Sequence, residues 1–469
     1  MLRNTIEIVK NMCYTLIVKV LRNTNKFNHE KGWNIMKKKK LVSLLTVCAM
    51  TASLLAGCGN GANNSGSGDS GKSGSSTAKS DKVELELFST KTENMQTLQT
   101  LVDEFTSQHD NISIEITAPA DAGTVLKTRL TKNDLPDIIA CGGDATYTEL
   151  QSAGMLMDMS DEVGNIQEAY MQMLYDVNKD GESVAYGVPY ATNASGILYN
   201  KDMFEELGIS IPQTWDELMT ACETIKAAGK TPFELTFADN WTCLPPWNSM
   251  APVIPDASFT ADRKENKTTF EETHQEVLEK YAKILEYAQN DYMGTTYADG
   301  NKLFAEGQAA MMINGNWAIS EFKNTNADFN VDMFAFPSVN DAERNTVTSG
   351  IDVLFAVSSE SDSAQQEAAK EFIRFMTETD HAQQYITEQF AFSAVEGVAQ
   401  EDPTVASVKQ DIADGRVSNF PDHYYPSGFD LASILSQFAL NVTNGMDLQE
   451  NITQTLQTCD EQYDATNVD

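Results

Sequence analysis

The chain has 469 residues, 33 Lys+Arg against 68 Asp+Glu, and a formal net charge of -35. A surface this acidic repels a phosphate backbone and disfavours adsorption to an anionic bilayer, so nucleic acid is excluded as a partner. With 41% hydrophobic residues the chain can bury two or three domains' worth of core, yet no apolar run reaches the roughly 18–20 uncharged residues of a spanning helix.

In chain order the first segment reads as a leader. Four lysines, Lys37 to Lys40, follow Met36, and an apolar stretch from Leu41 to Ala56 ends in Leu55-Ala56-Gly57-Cys58. A basic start, a greasy segment too short for a stop-transfer helix and small residues before a cysteine resemble a bacterial lipoprotein signal. Cys58 is then the expected lipidated first residue, its acyl chains anchoring the protein by about 0.8 kcal/mol per buried methylene. Lys31-Gly32-Trp33 would be encoded by a purine-rich stretch like a ribosome-binding site, so translation is expected to start at Met36 and residues 1–35 to be a mis-set extension.

Removing residues 1–57 leaves 23 basic and 66 acidic residues, so an anchored body has to stand off the membrane. Residues 58–80 carry the lipidated cysteine and a Gly, Asn, Ser and Lys spacer that cannot fold alone. Gly66-Ser67-Gly68-Asp69-Ser70-Gly71-Lys72-Ser73 spells a P-loop there. That pattern needs a strand before it and a helix after it, and low-complexity sequence flanks it on both sides, so it reads as linker.

The body opens with Val83-Glu84-Leu85-Glu86-Leu87, alternating at strand period. Met95, Leu98, Leu101, Val102 and Phe105 recur at helix period; Ile112, Ile114 and Ile116 alternate again; Val125 and Leu130 mark a short helix; Leu135 to Ile139 make a third strand. This β-α-β-α-β order predicts a parallel sheet whose ligands gather beyond the strands' carboxyl ends, here Ser89-Thr90-Lys91 and Cys141-Gly142-Gly143-Asp144. A second block starts near Tyr186. In it Thr214 and Glu217 are spaced as a capping box, so Trp215 is expected to pack, and Gly315-Asn316-Trp317 follows the strand Ala309 to Ile313.

Cys141, Cys222, Cys243 and Cys459 have no metal-ligand spacing and read as isolated buried thiols. Asp176 to Gly181 starts like a calcium loop, but Gly187 stands where the closing glutamate belongs, and a turn at Asp180-Gly181 is expected instead. The five histidines form no His-Glu-x-x-His, and no Ser or Cys nucleophile motif accompanies them. No catalytic residue, metal or cofactor is therefore expected.

Several stretches in order carry a family resemblance: the lipobox, Pro136-Asp137-Ile138-Ile139, Gly187-Val188-Pro189-Tyr190 with Leu198-Tyr199-Asn200-Lys201-Asp202, Pro212 to Glu217, and Phe304 to Met311 with Gly315-Asn316-Trp317. Together they are similar to the extracellular solute-binding proteins of family 1, the sugar-binding receptors of ABC importers, over 81–469. The resemblance implies an α/β, two-lobed fold of the type II periplasmic-binding-protein kind, each lobe a mostly parallel sheet flanked by helices. Hinge crossings are expected near 190–196, 337–347 and 396–405. Lobe 1 would then be 81–191 and 347–396, and lobe 2 192–346 and 397–469. A lipid-anchored monomer on the extracellular face of the cell membrane is implied, passing a mono- or oligosaccharide to the permease subunits without catalysis. The alternatives are a same-fold receptor for another solute and a secreted carbohydrate-active enzyme.

Sugars offer hydroxyl edges for paired donors and acceptors and C–H faces for flat rings. Ring candidates are Trp241 and Trp247 in a proline-broken loop, Trp317 after its strand and glycine, and Tyr424 and Tyr425. Polar candidates are Lys91 and Glu93 after the first strand, Asn193 at the first hinge, and Asp352. The resemblance adds Asp144 as an acceptor for two adjacent hydroxyls, its rival role being a helix cap. Cys141 stands where maltose-type relatives often carry a tryptophan, which puts long-chain stacking in doubt at that point.

Overall fold

The computed structural model describes residues 82–119, 122–178, 183–255, 258–426 and 428–467. Residues 1–35, expected to be a mis-set extension, the expected lipobox with Cys58, the spacer with its P-loop pattern and the turn expected at Asp180-Gly181 lie outside those residues. No helix among the described residues is long and apolar enough to cross a membrane.

The strands run β1 (Val83–Ser89), β2 (Ile112–Thr117), β3 (Ile138–Cys141), β4 (Val188–Thr192), β5 (Ser195–Asn200) and β6 (Thr231–Glu234). They continue with β7 (Ala309–Gly315), β8 (Val331–Phe334), β9 (Val347–Ser349), β10 (Ile351–Val357), β11 (Phe392–Ser393) and β12 (Val417–Asn419). One sheet has the order β11-β4-β10-β3-β1-β2; the other has β12-β9-β5-β7-β6 with β8 paired to β5. Apolar alternation sets the register of β1, whose Leu85 and Leu87 are buried while Val83 pairs with Ile112 and Leu87 with both Ile116 and Ile138. The helix Met95–Gln108 lays Leu98, Leu101, Val102 and Phe105 on that sheet.

β3 begins later than the apolar run suggests. Pro136 has no N–H for a ladder, and the Asp137 carboxylate accepts the Glu86 N–H at 2.9 Å and the Ser361 hydroxyl at 2.6 Å, so this stretch ties β1 down instead of extending the strand. Thr214 does cap the helix Trp215–Ala227, but Glu217 reaches the Gln213 N–H at 2.7 Å instead of closing the box on Thr214. Trp215 packs, with the Lys280 ammonium 5.0 Å from its ring.

The expectation of mostly parallel sheets is corrected to mixed ones. Parallel pairing is kept by β1 with β2 and β3, by β6 with β7 and by β9 with β12; β10 runs antiparallel to both β3 and β4. The cause is traffic through the hinge: the chain leaves the first sheet along β4 and returns along the neighbouring β10, so the two point oppositely. The return falls at Gly350, between β9 and β10, so residues 347–349, expected in lobe 1, belong to the second sheet.

One core lies around the first sheet, centred on Phe88, Phe105, Phe355 and Tyr385. The second sheet has a core on each face, one with Phe233, Trp247, Tyr281 and Phe438, the other with Phe304, Phe322 and Phe420. Cys141, Cys222, Cys243 and Cys459 are buried and unpaired. His274 is wholly buried, stacked on Trp247 at 4.9 Å, and burial depresses its pKa to about 3 from 6.5.

Two outcomes follow from this packing. A Cβ on Gly196 would sit 2.4 Å from the Phe334 carbonyl oxygen, so Gly196→Ala should cost about 1–3 kcal/mol, read as a lower urea midpoint with unchanged slope. His274 is neutral when folded, and the unfolded chain takes up its proton below about 6.5. Stability is therefore lost as pH falls from about 6.5 toward 3, by up to about 1.4 kcal/mol per unit from this residue. An NMR titration should show the His274 imidazole still neutral at about pH 5, roughly two units above that value.

Candidate functional site

The turn after β1 is built by Ser89, whose hydroxyl accepts the Lys91 N–H at 3.1 Å and donates to Asn94 Oδ1 at 3.1 Å. That turn sends the Lys91 ammonium to Asp352 at 2.8 Å and to Glu93 at 3.3 Å. Asn193, at the β4–β5 passage, donates to the same Asp352 oxygen at 2.6 Å. Burial alone would lower the Lys91 pKa, but the Asp352 and Glu93 carboxylates more than offset it and hold it above 10.5.

The second lobe meets this group with an aromatic face. The Trp317 ring lies so close over Gly315 that a Cβ there would touch it at 2.0 Å, and Lys91 Nζ stands 5.5 Å from the ring centroid. Trp241 is 40% exposed and meets Tyr297 edge-on at 4.8 Å. Burial, then the charge of Glu93, raises the Tyr297 phenol well above 10. The Tyr297 hydroxyl and Asn193 Oδ1 are buried without a hydrogen-bond partner. Lys91, Glu93, Asn193, Asp352, Trp317 and Trp241 thus form one neighbourhood at the seam between the lobes.

A second neighbourhood surrounds Asp144. Its carboxylate accepts the Thr146 N–H at 2.8 Å and caps the helix Ala145–Ser152, the rival role foreseen for it. Facing it is the segment Phe420–Tyr424, with Phe420 and His423 against Gly350, where a Cβ would meet them at 3.1 and 3.4 Å. Burial raises the Asp422 carboxyl; His423 and Asn248 oppose that, and the charge of Asp144 adds to it. Asp422 Oδ1 and Asn248 Oδ1 are buried and unpartnered. Tyr424 crosses the seam and packs on the first lobe's core.

One ring candidate is corrected. Trp247 is fully buried in the second lobe between His274 and Phe270, because Pro245 and Pro246 start the helix Leu244–Met250 instead of breaking structure. Tyr425 is 5% exposed among Phe270, Phe429 and Tyr463, at the wall of a cavity that Tyr424 also lines. Sequence reading missed Asn248, Tyr297 and Asp422. Asp422 stands two residues before the candidate Tyr424, whereas nothing in the sequence separated Tyr297 from any other helix-start aromatic. It also passed over the hinge staple Asn316, whose carbonyl accepts the Ala194 N–H at 2.6 Å while its amide donates to the Phe390 carbonyl at 2.9 Å.

Comparison with known proteins adds the following. A family model described as bacterial extracellular solute-binding protein matches residues 89–383. The multiple sugar-binding protein of Streptococcus mutans is 31% identical over 378 residues, 78% of this chain and 85% of that protein. The melibiose/raffinose/stachyose-binding protein of Bacillus subtilis is 22% identical over 66% of this chain and 73% of its own. Among solved structures, RafE in complex with raffinose superposes with a TM-score of 0.71 at 24% identity, covering 82% of this chain and all of the other.

Removing the Asp352 carboxylate leaves Lys91 buried with Glu93 alone. Asp352→Ala should cost about 3 kcal/mol, the low end for breaking a buried pair, measured by urea unfolding near neutral pH. Because the folded Lys91 pKa is raised, the pairing contributes fully below 10.5 and is lost only as pH climbs beyond that value.

Proposed function

We propose that this chain, which belongs to the bacterial extracellular solute-binding protein family, is the carbohydrate receptor of an ABC importer, held at the outer face of the cell membrane by lipid on Cys58. The observation that carries the reading is the facing of Trp317 from one lobe with Lys91, Glu93, Asp352 and Asn193 from the other and the hinge. A flat indole suits the C–H face of a pyranose, and fixed carboxylates and amides suit its hydroxyls. The relatives named for sugar binding support the same reading.

Capture then works by differential contact. A sugar touching both lobes binds the closed arrangement better than the open one and shifts the population toward it. The closed form is what the permease subunits would recognise and open. Every step is binding or release, and no bond in the sugar is made or broken. The acidic body stays off the anionic headgroups while the spacer before Lys82 lets it reach the permease.

Binding is tested by thermal shift over a panel of mono- and oligosaccharides, where a ligand specific for the native state raises the melting temperature. Trp241→Ala, at a ring 40% exposed, should weaken the responding sugar by about tenfold and leave the free protein's melting temperature unchanged. Absence of any response across the panel would defeat the carbohydrate reading, and turnover of oligosaccharide by the pure protein would make it an enzyme. Cys58→Ser should move the protein from the membrane fraction to the medium.

A further inference from the structure

The seam gathers more acid than base. The Asp352 and Glu93 carboxylates share the Lys91 ammonium at 2.8 and 3.3 Å. A third carboxylate comes from the second lobe. The short turn Asn316–Ala318 runs straight into the helix Ile319–Thr325, so Glu321 lies one turn beyond Trp317 on the same face. Trp317 faces Lys91, with 5.5 Å between ammonium and ring centroid, and Lys91 faces Glu93. Glu321 and Glu93 therefore approach each other from opposite lobes. Glu321 is half-buried there, and burial raises its pKa above 4.5. The charge of Glu93 raises it further, with no cation among the described residues set against them.

The other titratable groups on the elements packed against that helix are neutral, occupied or turned to solvent. On Tyr297–Ala305 the Tyr297 phenol stays neutral well above pH 10, Asp299 accepts the Thr296 hydroxyl at 2.8 Å, and Lys302 lies 4.0 Å from Glu306. On Thr379–Gln389 Asp380 is exposed, and His381 lies 3.6 Å from both Glu104 and Glu378. Glu388 there accepts the Thr97 hydroxyl at 2.6 Å. Lys323, on the same helix as Glu321, donates to the Phe329 carbonyl at 2.9 Å. The charge that Glu321 meets is thus a like charge across the seam.

Resting on the two-lobe capture proposed above, we propose that closing the seam takes up one proton from solvent, on Glu321, so that acid favours closure. With the lobes apart, water separates the two carboxylates and both ionise. With the lobes together, Lys91 holds the Glu93 charge, and Glu321, which has no ammonium, is the group that protonates. Because its pKa is raised in the closed form, closure is easiest below 4.5 and becomes harder as pH climbs through the raised value, beyond which the penalty is constant. A solute that needs the closed form is then held more tightly in acidified medium and released more readily as the medium returns to neutral.

The test reads the distance between lobes in the mature protein with no sugar present, by energy transfer between dyes on a cysteine introduced at an exposed position in each lobe. The closed-to-open ratio should rise by up to about tenfold per unit as pH falls from about 8 to about 5, tenfold being the limit for one proton. Glu321→Gln, neutral throughout, should lose that response and be about as closed at about pH 8 as the unaltered protein is at about pH 5. Glu306→Gln removes the same charge at an exposed position beside the helix Tyr297–Ala305 and should keep the response. The proposal is overturned if the ratio is flat over that range, if Glu321→Gln titrates like the unaltered protein, or if Glu306→Gln abolishes the response as well. Failure of every saccharide in the thermal-shift panel would defeat the carbohydrate reading alone, since the dyes report on the ligand-free protein.

Discussion

A carboxylate set into a strand beside a hinge has to be neutralised before two lobes can share a buried seam around it. Asp352 is 7% exposed, and the corner around it is assembled from three places in the chain. Lys91 arrives from the turn after β1, Asn193 from the β4–β5 passage, and Asp352 itself from the strand that re-enters the first lobe. The turn is fixed by Ser89 and Asn94, and Asn94 is fixed in turn by the Tyr385 hydroxyl at 3.1 Å. Losing Lys91 would leave the Asp352 carboxylate buried with only the Asn193 amide beside it, so the ion pair holds this corner. Trp317 can therefore be presented to a stationary ammonium instead of a mobile one.

The elements of the first lobe were legible because period and punctuation coincide there. Val83 to Leu87 alternates, Met95 to Phe105 repeats at helix spacing, and the structure has β1 and a helix at those places. What the sequence could not convey was direction. Nothing in Ile351–Val357 says that it must run against β3, since an apolar strand reads the same in either sense; only the return through the hinge decides it. The second passage at Gly350 was misplaced for a related reason. Val347–Ser349 is a strand of three residues, too short to carry a period of its own.

For the site, the residues picked at strand ends come together in the fold, and the reading went astray where a ring's fate depends on a local helix. Lys91, Glu93, Asn193, Asp352 and Trp317 all follow or flank strands, and the topology brings those ends to one seam. Trp247 was read as a loop ring because two prolines precede it. Proline at the first turn of a helix loses no hydrogen bond, however, so the same residues that break a helix interior can begin one and turn the indole inward. Asp422 and Asn248 come together only through the second lobe's packing, 174 positions apart in the chain, and no local pattern announces such a pair.

A receptor of this design also has to open, which limits how strongly the seam can hold itself. The contacts between lobes include the Lys91–Trp317 cation–π pair, the Asn316 amide on the Phe390 carbonyl and the packing of Tyr424. The first two are worth about 0.5–2 and about 1 kcal/mol. Moving a two-state equilibrium from one side to the other takes a differential affinity of about 5.5 kcal/mol. A seam of a few such contacts stays within reach of one ligand's binding energy, whereas a seam closed by several pairs as strong as Lys91–Asp352 would stay shut. That is a physical reason for the buried Lys91–Asp352 pair to join residues of the first lobe, where it sets the corner, while the cation–π and amide contacts that cross the gap are weak ones.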